Sequence, residues 1–90
     1  MAYDVSDWRK LGAVLRQARL AAGLTQQALA TRAGVSRAWL ARLEGGHRAA
    51  ELEPLLRLLD ALDLTLTIGP KPPNPGTDAV LAALAEQERD

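Results

Sequence analysis

Gly23 to Gly46 reads GLTQQALATRAGVSRAWLARLEGG. Two short apolar segments lie within it, and each is announced in the same way. Leu24-Thr25 precedes the first and Val35-Ser36 the second. In each pair a hydroxyl can accept from the free N–H groups of a helical first turn. The apolar residue before the hydroxyl stands five positions ahead of a leucine, Leu24 before Leu29 and Val35 before Leu40. That is the spacing of a hydrophobic staple, which fixes the angle at which the chain joins a helix. Gly34 falls between the segments, where a positive φ is needed to turn the chain. Gly45-Gly46 stops the second segment. The stretch predicts a helix over about Gln26–Ala33, a tight turn, and another helix over about Arg37–Glu44.

The helical pattern continues outward. Trp8, Leu11, Leu15, Ala18 and Ala22 recur at steps of three and four, predicting a helix over about Asp7–Ala22 with Ser6 as its cap and Gly23 at its end. Pro54 suits a first helical turn. A fourth helix is expected from there, burying Leu55, Leu56, Leu59 and Leu62, with Leu52 packed just before it. The period then changes. Leu64-Thr65-Leu66-Thr67-Ile68 alternates apolar and β-branched polar residues, a strand signal. A lone strand leaves its N–H and C=O groups without partners. Antiparallel pairing with the same residues of a second copy satisfies them. The plainer alternatives are a short extended tail or a further turn of the fourth helix.

Gly69–Thr77, GPKPPNPGT, reads as a proline-rich linker. Asp78–Asp90 is alanine-rich, with Asp78 as a cap and a narrow stripe of Val80, Leu81 and Leu84. A helix of about 12 residues is marginal in water without something to pack on. This segment therefore docks on its own domain, frays, or binds a partner. The expected plan is a domain over residues 1–68 ending in the strand 64–68, a linker over 69–77, and an amphipathic segment over 78–90. The expected fold class is all-α, a bundle of about four helices followed by one short strand and a tail.

Composition narrows the functional classes. Ninety residues make one small domain with a modest core. Cysteine is absent, which excludes disulfides and thiolate metal sites, and a single His47 cannot form a metal site by itself. No metal and no cofactor is expected. Two serines and one histidine with no evident nucleophile beside it argue against an enzyme, so no catalytic residue is assigned. No apolar run approaches the ~20 residues that span a bilayer, and MAYDVSDWRK lacks signal-peptide architecture. A soluble cytoplasmic protein with no membrane partner is expected.

The net charge of zero conceals an asymmetry. Residues 9–48 carry eight bases (Arg9, Lys10, Arg16, Arg19, Arg32, Arg37, Arg42 and Arg48) against Glu44 alone. Residues 49–90 carry three bases against eight acids. A field of this kind attracts phosphate to one half of a molecule that is neutral overall. Two short helices around a turn, the second with arginines on its free face, form the layout of a helix-turn-helix that reads the major groove of DNA.

Residues 9–68 resemble the Cro/C1-type (Xre) helix-turn-helix family. The resemblance is carried by Leu24, Thr25, Gln26, Leu29-Ala30, Gly34, Val35-Ser36, Leu43-Glu44 and Gly45. It implies a small lambda-repressor-like bundle that binds double-stranded DNA. Leu62-Asp63-Leu64, followed by the alternating residues to Ile68, is similar to HipB-type antitoxins. That likeness implies a homodimer paired through Leu64, Thr65, Leu66, Thr67 and Ile68, repression of its own operon at an inverted-repeat operator, and a kinase-like toxin as partner.

Individual roles follow. Leu40 and Leu43 point to the core, leaving Arg37, Ala38, Ala41 and Arg42 on the free face. An arginine can hold guanine O6 and N7 together, and an alanine methyl can meet a thymine methyl. The family pattern also places base readers at Arg37, Ala38 and Arg42. Gln26 opens its helix, where the N–H groups and side-chain amide can bind a phosphate oxygen. Gln27 and Ser36 complete the expected DNA-contacting set at the starts of the two helices. Trp39 reads first as a partly buried packing residue and second as a base-edge or sugar contact. His47 reads as a surface loop residue or a phosphate contact, and Arg48, Arg16, Arg19 and Arg32 as candidate backbone clamps. Glu44 resembles the family's structural acid, with a capping or ion-pair role; Arg42 pairing with an acid is the alternative to base contact.

Three classes of function remain: a dimeric repressor with antitoxin as its context, a protein-interaction module that lost DNA binding, and, least favoured, an enzyme.

Overall fold

The computed structural model describes residues 3–48, 51–71 and 84–85. Its helices are α1 (Trp8–Ala21), α2 (Gln26–Ala33), α3 (Arg37–Glu44) and α4 (Leu52–Ala61). α3 packs on α1 and α2, and α4 packs on α2. Each helix sends one fully buried leucine to the centre: Leu15, Leu29, Leu40 and Leu58. Ala30, Ala33, Leu43, Leu55 and Leu59 complete the buried set, and Trp8, Leu11, Leu24, Val35, Trp39 and Leu64 pack around it.

Both caps expected in the central stretch form. Thr25 Oγ1 accepts from Ala28 N–H at 3.0 Å, and Ser36 Oγ accepts from Trp39 N–H at 3.0 Å. The staple residues Leu24 and Val35 pack against the core that holds Leu29 and Leu40. α1 begins differently from expectation. Asp7 is its cap, with Oδ1 accepting from Lys10 N–H at 2.8 Å, and Ser6 lies one residue too early to reach that turn.

One closing device recurs at all four helix ends. Gly23, Gly34, Gly46 and Asp63 take left-handed backbone angles. The next residue then donates five positions back: Leu24 to Arg19, Val35 to Ala30, His47 to Arg42 and Leu64 to Leu59, at 2.8 to 3.1 Å. Such bonds satisfy carbonyls that the helix itself leaves free. Asp63 does this at φ 58 without being glycine, and its side-chain type tolerates the region better than most. The Leu-Asp-Leu step is thus a helix stop.

α4 departs from its expected phase. It starts at Leu52, two residues ahead of Pro54, and Glu51 supplies no side-chain cap. Leu58 is buried where Leu56 was expected to be; Leu56 is exposed and Leu52 is 60% exposed. The run LLRLL offers leucines at adjacent angles, so apolar content alone does not choose the face; the spacing 55, 58, 59, 62 does. Ala22, expected on the buried stripe of α1, is exposed at its cap position.

Leu64–Ile68 forms no strand within the single chain. Leu64 is half-buried against the bundle, whereas Leu66 is 52% and Ile68 91% exposed. Leu84 and Ala85 are helical and exposed. The rest of the segment expected over 78–90, and residues 72–77 of the linker, lie outside the described residues.

Gly12 sets how closely α1 and α3 approach. A Cβ there would stand 2.4 Å from the Leu43 carbonyl oxygen and 2.8 Å from that of Glu44. These are backbone atoms and cannot swing aside. Gly12→Ala should therefore cost about 3 kcal/mol, the upper part of the overpacking range, and lower Tm by roughly 10–20 °C. A thermal melt checks this; a Tm within a few degrees of wild type would show that the two helices can separate freely.

Candidate nucleic-acid interface

The site is built from behind α3 outward. Leu40 and Leu43 anchor its inner face and Trp39 is half-buried on the core. Arg37, Ala38 and Arg42 are exposed, and Ala41 is half-buried. Ala38 and Arg42 stand one turn apart on the same side, as do Arg37 and Ala41. The exposed face read from the sequence is thus present, except that Ala41 lies at its margin.

Beneath this face lies a polar network. Arg19 donates from Nε to Glu44 Oε2 at 2.8 Å and from Nη2 to Glu44 Oε1 at 3.0 Å. Its Nη1 donates to the Leu24 carbonyl at 2.9 Å. Gln26 Nε2 donates to Glu44 Oε1 at 3.2 Å. Arg19 is 8% exposed and the Glu44 side chain 3%. The expectation that Arg19 is a backbone clamp is therefore corrected: it is buried and its guanidinium is engaged inside the protein. The hydrogen bonds that Arg19 donates to Glu44 raise its pKa above its ordinary value, burial works against that rise, and the Glu44 charge adds to it. Arg19 thus stays charged while folded. Glu44 takes the ion-pair role expected of it, with Arg19 and not with Arg42.

The pair also shapes the surface. Glu44 is the sole acid among residues 9–48, and it is turned inward. The remaining seven bases of that stretch, Arg9, Lys10, Arg16, Arg32, Arg37, Arg42 and Arg48, are all exposed, and none is in an ion pair among the described residues. Every exposed charged side chain of residues 9–48 is therefore cationic.

The other candidate residues divide by position. Gln27 is exposed at the start of α2, where its Nε2 donates to Thr31 Oγ1 at 3.1 Å. Gln26 is half-buried with its amide nitrogen committed to Glu44. A carboxylate only accepts, so the amide nitrogen must face it and Oε1 points away. Ser36 is a cap whose hydroxyl oxygen is occupied by Trp39 N–H. His47 and Arg48 are exposed just after α3, and the His47 N–H is fixed to the Arg42 carbonyl at 3.0 Å. Sequence reasoning missed the burial of Arg19 and Gly12. A signal was available for Arg19: it continues Leu11 and Leu15 at steps of four, on the buried stripe.

With this geometry in view, the chain belongs to the helix-turn-helix domain family, which its residues 10–67 match. Its Cro/C1-type character agrees with its structural neighbours. The restriction-modification controller protein C.AhdI from Aeromonas hydrophila is 39% identical, covering 66% of this chain and 86% of that one, with TM-score 0.62. The clp gene regulator ClgR from C. glutamicum is 32% identical, covering 73% and 85%, with TM-score 0.63. A chain of the HipA-HipB-O2-O3 complex is 21% identical, covering 79% and 100%, with TM-score 0.72; at that identity the likeness is one of fold. No curated protein matches. The fold is that of helix-turn-helix DNA-binding regulators. Among the described residues no helix is long and apolar enough to cross a membrane.

Glu44→Ala would leave Arg19 buried without its counter-charge, a loss of about 3–5 kcal/mol. Replacing both partners together, Arg19→Met with Glu44→Leu, should cost far less. Urea denaturation of the two proteins tests the asymmetry; equal losses would mean that the pair is not sealed from water.

Proposed function

We propose that this protein is a sequence-specific double-stranded DNA-binding transcriptional repressor, acting as a homodimer on an inverted-repeat operator. The observation that supports it most is the exposed face of α3. Arg37, Ala38 and Arg42 stand there within residues 9–48, a stretch with seven exposed bases whose one acid is turned inward. Arg37 and Arg42 read guanines by paired hydrogen bonds, and Ala38 meets a thymine methyl. Gln27, Ser36, His47 and Arg48 flank that face and contact the backbone, which fixes register without reading sequence. Gln26 contributes its backbone N–H, since its side-chain amide serves Glu44. Trp39 stays a packing residue with its edge toward the sugar.

The dimer joins through Leu64, Thr65, Leu66, Thr67 and Ile68. Its motive is the exposed apolar surface of Leu66 and Ile68, with Leu52 and Leu56 of α4 also exposed. A two-stranded ribbon is weak alone, so the α4 leucines add to the joint. Leu62–Ile68 also motivates the narrower reading, an antitoxin of a HipAB-like operon with a kinase-like toxin as protein partner and residues 78–90 as the segment that meets it. A regulator unrelated to any toxin is the second reading, and the higher identities to the controller protein and the clp gene regulator favour it. A kinase-like reading frame beside the gene decides between the two. Either protein works in the cytoplasm, on the nucleoid when bound.

Arg37→Ala and Arg42→Ala should each weaken binding to the operator by about 1–3 kcal/mol and relax preference at one base pair per half-site. Arg48→Ala should weaken operator and random DNA alike. Gel shifts on both DNAs measure this, and equal losses on the two for the α3 arginines would show that the reading face lies elsewhere. Leu66→Pro removes one backbone N–H from the paired strands and should yield a monomer with no tight operator binding. Sedimentation that still shows a dimer would place the joint outside residues 64–68.

A further inference from the structure

One side chain ties α4 to the turn between α2 and α3. Arg57 Nη1 donates to the Gly34 carbonyl at 2.9 Å and lies 3.5 Å from the carbonyl of Ala33. Its Nε pairs with Glu53 Oε1 at 3.0 Å, one turn earlier on α4, so the guanidinium is steadied from its own helix. The carbonyls it meets close α2, where the negative end of the helix dipole favours a cation. Position 34 is shaped to admit this contact: φ is 72, and a Cβ there would stand 2.9 Å from Arg57 Nη1. Gly34 thus serves the turn and the guanidinium together.

The tie matters because of how the helices are stacked. α4 packs on α2, while α3 packs on α1 and α2. The heading of α3 relative to α4 is therefore set through α2 and the Gly34 turn. We propose that Arg57 is a positioning residue for base readout: it holds that turn at the angle that aims Arg37 and Arg42, without touching DNA. The assignment rests on the DNA-binding reading above and adds a residue outside the recognition surface. The Arg57 side chain is 47% exposed and the core leucines beside it, Leu55, Leu58 and Leu59, do not depend on it. Its removal should leave the bundle folded.

The test compares wild type with Arg57→Met and Arg57→Lys, well below the melting temperature of each. Amide hydrogen exchange is followed without DNA at Gly34 and Val35, whose N–H groups bond Thr31 and Ala30. Exchange there should quicken in Arg57→Met, with Leu29 and Leu40 unchanged. The ratio of affinity for the DNA upstream of its own gene to that for random duplex should fall about fivefold or more, the effect of one imperfect base contact. Arg57→Lys, which keeps one cationic donor, should recover most of both. An unchanged ratio overturns the proposal, and so does unchanged exchange at the turn. Equal losses on both DNAs, with the salt slope reduced by about one, would make Arg57 a phosphate contact and overturn it too. Absence of any operator preference in wild type overturns the DNA-binding reading and this assignment with it; quickened exchange would then establish the tie alone.

Discussion

Arg19 and Glu44 hold α3 in place. Arg19 lies in the last turn of α1 and Glu44 is the last residue of α3. Their paired hydrogen bonds join the ends of the two helices, and the third bond, to the Leu24 carbonyl, takes in the segment that leads to α2. A buried pair of this kind adds little net stability compared with an apolar substitute of the same shape, but it is costly to break in half. Its value lies in geometry: a bidentate guanidinium–carboxylate contact admits few orientations. Gly12 supports the same joint two turns earlier on the same face of α1, by letting backbone meet backbone where any side chain would intrude.

The same contact governs the electrostatics. Had Glu44 faced outward, it would have stood beside Arg42 and opposed phosphate at the centre of the basic half. Turned inward, it neutralises only Arg19, and every cation left in residues 9–48 faces solvent. Scaffold and field thus follow from one carboxylate. Attraction of this sort steers encounter and falls with salt.

What the sequence disclosed was what is local. α2 and α3 begin and end where Thr25, Ser36, Gly34 and Gly45 indicated, because a cap acts within three residues of itself. The family and the outward arginines of α3 followed from the same stretch, and the first and fourth helices from the apolar spacing on either side of it. The rest depends on contacts distant in sequence. Arg19 and Glu44 are 25 residues apart, so charge counting assigned Arg19 to the surface. Leu56, expected to be buried, is exposed because the phase of α4 is fixed by what it packs on. Leu66 and Ile68 carry a strand pattern that one chain cannot satisfy by itself. Asp63 drew notice as part of a resemblance, and its backbone angle gives it a physical role.

Methylation interference on the DNA upstream of the protein's own gene tests the central claim most directly, because it asks whether guanine N7 in the major groove is where binding is decided. The account predicts that N7 methylation blocks binding at one or two guanines in each of two inverted half-sites, with centres about 10 base pairs apart or a multiple of that. Tight binding that N7 methylation leaves unaffected everywhere in the bound region would contradict it, since arginines on α3 would then not be reading guanine in the major groove.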